Sequence, residues 1–153
     1  MAASVGYRVD GWGAGRVWFE DDVLLYHELP SGTGRGDAGP QNELTERFCS
    51  YFAGERPDFS GVRLDLEDYT SFQLAVVEAL KRVPYGEVVT YGELAALAGR
   101  PNAQRAAGSV CANNRFPLVV PCHRVVSATG IGGYGASGVE FKRRLLGLEG
   151  VSL

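Results

Sequence analysis

Followed from its start, the chain first alternates apolar and polar positions and then spaces its apolar residues at helical intervals. Arg16-Val17-Trp18-Phe19-Glu20 and Val23-Leu24-Leu25-Tyr26-His27 flank Asp21-Asp22, a pattern that predicts a β-hairpin. Pro30-Ser31-Gly32-Thr33-Gly34-Arg35-Gly36 is rich in turn formers and predicts a loop. Leu44, Phe48, Tyr51 and Phe52 make one apolar face of a helix that stops at Gly54. Val62, Leu64 and Leu66 alternate with Arg63 and Asp65, as in a half-buried strand.

From Thr70 onward the pattern is helical. Thr70-Ser71-Phe72-Gln73 has the form of a capping box, in which the cap and the third residue after it satisfy each other's backbone N–H. It predicts a helix with Phe72, Val76, Ala79, Leu80 and Val83 inward, ended by Pro84-Tyr85-Gly86. Thr90-Tyr91-Gly92-Glu93 predicts a second, short helix to Gly99. Asn102 is expected to cap an Ala-rich helix reaching Asn113-Asn114, and Ser137-Gly138-Val139-Glu140 to open a last helix through Leu146. The expected class is α/β (α+β). A small N-terminal sheet-and-helix domain, residues 1–68, precedes a mostly helical domain, residues 69–153, with a helix-turn-helix and an active-site loop.

The helix-turn-helix is the pair 91–98 and 103–113, joined by Gly99-Arg100-Pro101-Asn102. Its second helix carries Ala103, Ala106, Ala107, Gly108 and Ser109. Such small residues permit close helix packing; they equally let a helix lie deep in a DNA groove with Arg105 projecting from it.

Composition is that of a globular chain, 45% hydrophobic and 22% charged, with no apolar run that could span a membrane. The start lacks the basic and apolar regions of a signal peptide, and three cysteines are too few for a disulfide framework. A cytoplasmic protein with reduced thiols is expected. Charge is uneven: residues 1–70 hold 6 basic against 13 acidic side chains, and residues 71–153 hold 9 against 5. No acidic residue lies between Glu93 and Glu140, where Arg100, Arg105, Arg115 and Arg124 fall. That stretch is either a surface for phosphates or a partly buried segment poor in all charge.

The chemistry concentrates in Val119-Val120-Pro121-Cys122-His123-Arg124-Val125-Val126. A cysteine is a nucleophile as thiolate, so a reactive one needs a base or a positive neighbourhood, and His123 and Arg124 offer both. A buried strand carrying a small apolar cysteine fits the same residues.

Around that segment the chain resembles the O6-alkylguanine-DNA alkyltransferases, or methylated-DNA–protein-cysteine methyltransferases. Pro121-Cys122-His123-Arg124-Val125 matches the family signature, and Tyr85-Gly86-Glu87-Val88-Val89-Thr90-Tyr91 and Arg105-Ala106-Ala107-Gly108 match further blocks. Asn114 stands eight residues before Cys122 and Glu149 stands 27 after it, as in the family. Residues 43–59 are similar to the end of the family's N-terminal domain. The resemblance implies single-use repair of O6-alkylguanine, and of O4-alkylthymine, in double-stranded DNA entered from the minor groove. It makes Cys122 the acceptor, His123 its base and Glu149 the group orienting His123. Tyr91 would assist the leaving guanine, Tyr134 would wall the pocket, Arg105 would fill the gap left by the flipped base, and Asn114 would hold the turn towards Cys122. Ala103, Gly108, Ser109 and Val125 would face DNA or substrate. If Cys122-His123-Arg124 is extended, Cys122 and His123 point to opposite faces, and a water must relay between them.

Some relatives bind zinc in the N-terminal domain, but only His27 and Cys49 are available in that domain here. No metal, no cofactor, no membrane association and a monomer are expected. Val77 stands where many relatives carry Trp. Two other functions use the same residues: a damage-binding module without transfer, and a thiol hydrolase that turns over.

Overall fold

The computed structural model describes residues 2–32 and 39–153. The chain forms two compact units. The first is Met1–Asp65 with Arg115–Val119, and the second is Leu66–Asn114 with Val120–Leu153.

In the first unit, strands β1 (Ala3–Val9), β2 (Gly13–Glu20), β3 (Val23–Ser31) and β4 (Arg63–Leu64) lie in that order in one sheet, antiparallel except for the parallel β3–β4 pair. The predicted hairpin is β2–β3. Asp21 and Asp22 turn it with φ of 49° and 67°, the left-handed pair that a tight turn with the twist of the sheet requires. The predicted loop is shorter at its start, because Pro30 and Ser31 still belong to β3; Thr33 to Gly36 lie outside the described residues. The strand expected over 62–66 is ordered only as Arg63–Leu64. Helix α1 (Glu43–Phe52) is capped by Asn42, whose side chain accepts from the Thr45 N–H at 2.8 Å, and it buries Phe48, Tyr51 and Phe52. His27 is wholly buried there, stacked on Phe48 with ring centroids 3.8 Å apart. It is 2.6 Å from the Tyr7 hydroxyl and 2.8 Å from the Pro117 carbonyl.

The second unit holds α2 (Ser71–Lys81), β5 (Val89–Thr90), α3 (Tyr91–Leu97), α4 (Gln104–Ala112), β6 (Val125–Val126) and α5 (Val139–Leu148). Both capping boxes at Thr70 and Thr90 form, with Gln73 and Glu93 reaching back to the cap N–H groups. The other two expected caps do not. Asn102 adopts φ of +74° in the turn, so α4 starts after Ala103 without a side-chain cap. Gly138, at φ of +85°, occupies the cap of α5, and Ser137 closes a short 3₁₀ turn instead. Val76, Leu80, Leu94, Ala95, Ala107, Val125, Leu145 and Leu146 form the core. Among the described residues no helix is long and apolar enough to cross a membrane.

Candidate active site

Two short parallel strands bring distant sequence blocks together. Val89 pairs with Val125 and Thr90 with Val126, which sets the start of α3 beside the residues that follow the Cys-His-Arg triplet. That triplet is a single 3₁₀ turn, Cys122–Arg124, closed by the Arg124 N–H on the Pro121 carbonyl at 3.0 Å. The extended geometry expected for it is therefore corrected. Pro121 offers no N–H to a strand ladder, and its own carbonyl accepts the turn bond. Successive side chains of a 3₁₀ turn are rotated by about 120°, so Cys122 and His123 still diverge.

Cys122 is 6% exposed. Asn114 Nδ2 donates to its Sγ at 3.1 Å and to the Val120 carbonyl at 2.8 Å, and the Tyr134 hydroxyl stands 4.0 Å from the sulfur. Burial pushes the thiol pKa up, while the bonds with Asn114 and Tyr134 and the charge of Lys142 pull against it. The resting group is a thiol that accepts from the Asn114 amide, a donor that suits a thiolate.

His123 is fully buried, with Nε2 2.6 Å from Glu149 Oε2. Burial lowers its pKa more than the Glu149 carboxylate raises it, so the resting ring is neutral. A neutral ring facing a carboxylate carries its proton on that nitrogen, which leaves Nδ1 as the basic atom. Burial alone would raise the pKa of Glu149. The bonds from His123 and from Arg124 outweigh it and hold the carboxyl well below the usual carboxylate range. Arg124 grips both carboxylate oxygens, Nε to Oε1 at 2.9 Å and Nη2 to Oε2 at 3.1 Å, and its Nη1 donates to the Val83 carbonyl at 2.9 Å. The Gly86 N–H adds a bond to Oε1 at 2.9 Å. Gly86 has φ of +81°, and a Cβ there would press to 3.2 Å from the Glu149 carbonyl, so the turn admits glycine best.

Residues 71–151 match the family described as 6-O-methylguanine DNA methyltransferase, DNA binding domain. The methylated-DNA–protein-cysteine methyltransferase of Methanosarcina acetivorans is 50% identical over 111 residues, 71% of this chain and 68% of that protein. The chain belongs to the methylated-DNA–protein-cysteine methyltransferase family. The constitutive family member of Bacillus subtilis is 38% identical over 135 residues, 87% of this chain and 80% of its own. The fold matches that of Mycobacterium tuberculosis OGT in complex with DNA, with TM-score 0.80, 36% identity and coverage of 96% and 92%.

In this methyltransferase, Asn114 and Tyr134 meet the Cys122 sulfur, and Glu149 meets the adjacent His123. Tyr91 opens α3 half-buried, its ring centroid 6.0 Å from the Lys142 ammonium; burial raises its pKa. Gly108 on α4 faces the Tyr91 ring, whose atoms would stand 3.7 Å from an added Cβ. Arg105 and Ser109 lie exposed on α4, and Ala103 is half-buried at its start. Val125 is fully buried in β6, so its side chain belongs to the core and only its backbone can serve the site. His27, the sole histidine before the signature, is spent on Tyr7 and Pro117.

Sequence reasoning passed over Lys142; for Arg124 it expects a structural pairing that fixes the loop, and the structure shows Glu149 as the partner. Lys142 is fully buried. The available signal was its position three and four residues before Leu145 and Leu146, on the apolar face of α5.

Proposed function

We infer that this protein repairs O6-alkylguanine in double-stranded DNA by moving the alkyl group onto Cys122. The observation that carries this is a buried thiol held by Asn114, on the same turn as a His123–Glu149 pair, in a chain of this family. The Cys122 proton passes through a water to His123 Nδ1, and Glu149 holds the imidazolium through Nε2–H. The thiolate attacks the alkyl carbon. A C–S bond forms, the C–O6 bond breaks with its electron pair going to the guanine, and Tyr91 protonates or hydrogen-bonds that leaving base. The product is a thioether with no leaving group for water to release, so each molecule acts once.

Access follows from the second unit's surface. Helix α4 enters the minor groove, with Ala103, Gly108 and Ser109 allowing close approach. Arg105 fills the space of the extruded nucleotide, offsetting part of the few kcal/mol that extrusion costs (about 2–4). Tyr134 walls the pocket. O4-alkylthymine is a second substrate of the same geometry, and the protein works as a cytoplasmic monomer.

Titration against excess O6-methylguanine duplex tests the reading. Lesion loss should stop at one equivalent per protein. Continued loss would make the protein a turnover enzyme, and none would leave it a damage-binding module.

A further inference from the structure

Cys111 and Cys122 are free thiols of the second unit, and both touch one residue, Asn114. The Asn114 N–H donates to the Cys111 carbonyl at 3.2 Å, and its side-chain amide donates to the Cys122 sulfur at 3.1 Å. Gly108 stands one turn before Cys111 on α4 and faces the Tyr91 ring, which an added Cβ would meet at 3.7 Å. Cys111 therefore follows on the face of α4 that turns towards the site. The loop closes on the same end of the helix. A Cβ on Gly135 would lie 3.8 Å from the Ala112 carbonyl, and the neighbouring Tyr134 hydroxyl stands 4.0 Å from the Cys122 sulfur. Cys49 belongs to the first unit, with its sulfur 3.9 Å from the Arg8 carbonyl.

Cys111 has no part in the alkyl transfer. Burial first, and a charge at Cys122 second, push its thiol up to about 12, so it stays protonated while Cys122 is a thiolate. Oxidation of Cys122 changes that relation. A Cys122 thiolate attacks a hydroperoxide: an S–O bond forms, the O–O bond breaks with its electron pair on the departing oxygen, and the sulfur becomes a neutral sulfenic acid. The charge that opposed ionisation of Cys111 is then gone. Cys111 attacks the sulfenic sulfur, an S–S bond forms, the S–O bond breaks, and the hydroxide leaves with the Cys111 proton as water. The peroxide is reduced to an alcohol or water, and the two thiols are oxidised together. Without a second thiol, further peroxide takes the sulfenic acid to a sulfinic acid, which thiols do not reverse.

We propose that Cys111 is the resolving thiol of Cys122: a hydroperoxide converts the pair into a disulfide that blocks the acceptor reversibly and spares it from irreversible oxidation. This rests on the reading of Cys122 as the reactive thiol of the site. The test is exposure of the full chain, without DNA, to hydrogen peroxide, followed by peptide mass mapping before and after dithiothreitol. Trypsin separates the two cysteines at Arg115. Wild type should yield a cross-linked species joining the Cys111 and Cys122 peptides, short of two hydrogens, and dithiothreitol should return both thiols. In Cys111→Ser and Cys111→Ala, Cys122 should instead gain two oxygens and stay blocked after dithiothreitol. Cys49→Ser should behave as wild type. A wild type left as free thiols, or cross-linked through Cys49 or between molecules, overturns the proposal. So does sulfinic acid forming on wild-type Cys122 as fast as in the Cys111 variants. If one Cys111 variant does not fold, the other carries the comparison. Because no lesion enters the experiment, failure of wild type to take methyl from duplex would count against the repair reading and not against this one.

Discussion

Because Glu149 receives bonds from His123, Arg124 and the Gly86 backbone together, an amide in its place perturbs every one of them. Glu149→Gln removes the charge that stabilises an imidazolium at His123 and leaves the Arg124 guanidinium half-buried against a neutral group. Removing one partner of such a buried pair costs about 3–5 kcal/mol, more than an exposed pair contributes. We expect a lower melting temperature and a transfer rate reduced about 100-fold, measured as single-turnover loss of O6-methylguanine from duplex. An unchanged rate in a folded variant would remove Glu149 from the proton path. Of the candidate site, the grouping of His123 with Glu149 was legible because a thiol and an imidazole stand side by side and the carboxylate lies at the family distance. Lys142 was not, since a lysine followed by Arg143 and Arg144 reads as a solvated face.

At the scale of elements, α3 carries Tyr91, α4 carries Arg105, and the Cys122–Arg124 turn holds the thiol. The boxes at Thr70 and Thr90 were readable because each is closed by bonds within three residues. The cap expected at Asn102 and the box expected at Ser137 failed where Asn102 and Gly138 take a positive φ. Strand β1 was passed over, although Val5, Tyr7 and Val9 alternate with Ser4, Gly6 and Arg8. Arg105 is exposed on α4, so its replacement leaves the core untouched. Arg105→Ala is expected to slow repair of duplex more than reaction with free O6-benzylguanine, compared as rate constants on the two substrates. Equal losses would show that Arg105 does not assist base extrusion.

At the scale of the molecule, the chain leaves the second unit at Asn114, joins the first over Arg115–Val119 and returns at Val120. His27 holds that crossing, with its N–H on the Arg115 carbonyl at 2.9 Å and its ring on Pro117, 90 residues away. A tether made at that separation leaves no mark in the local pattern. Burial lowers the His27 pKa from 6.5 to about 4. The unfolded chain therefore gains a proton that the folded one refuses as pH falls below 6.5, and stability drops until about 4. The whole window is worth on the order of 3 kcal/mol. His27→Gln should be less sensitive than wild type across it, read from urea midpoints at about pH 7 and about pH 5; equal sensitivity would contradict a neutral buried His27. The most direct measurement of the whole account is the mass of the Cys122 peptide after reaction with an O6-methylguanine duplex. One methyl group on Cys122, with Cys49 and Cys111 unmodified, is predicted. Loss of the lesion with an unmodified Cys122 would contradict it.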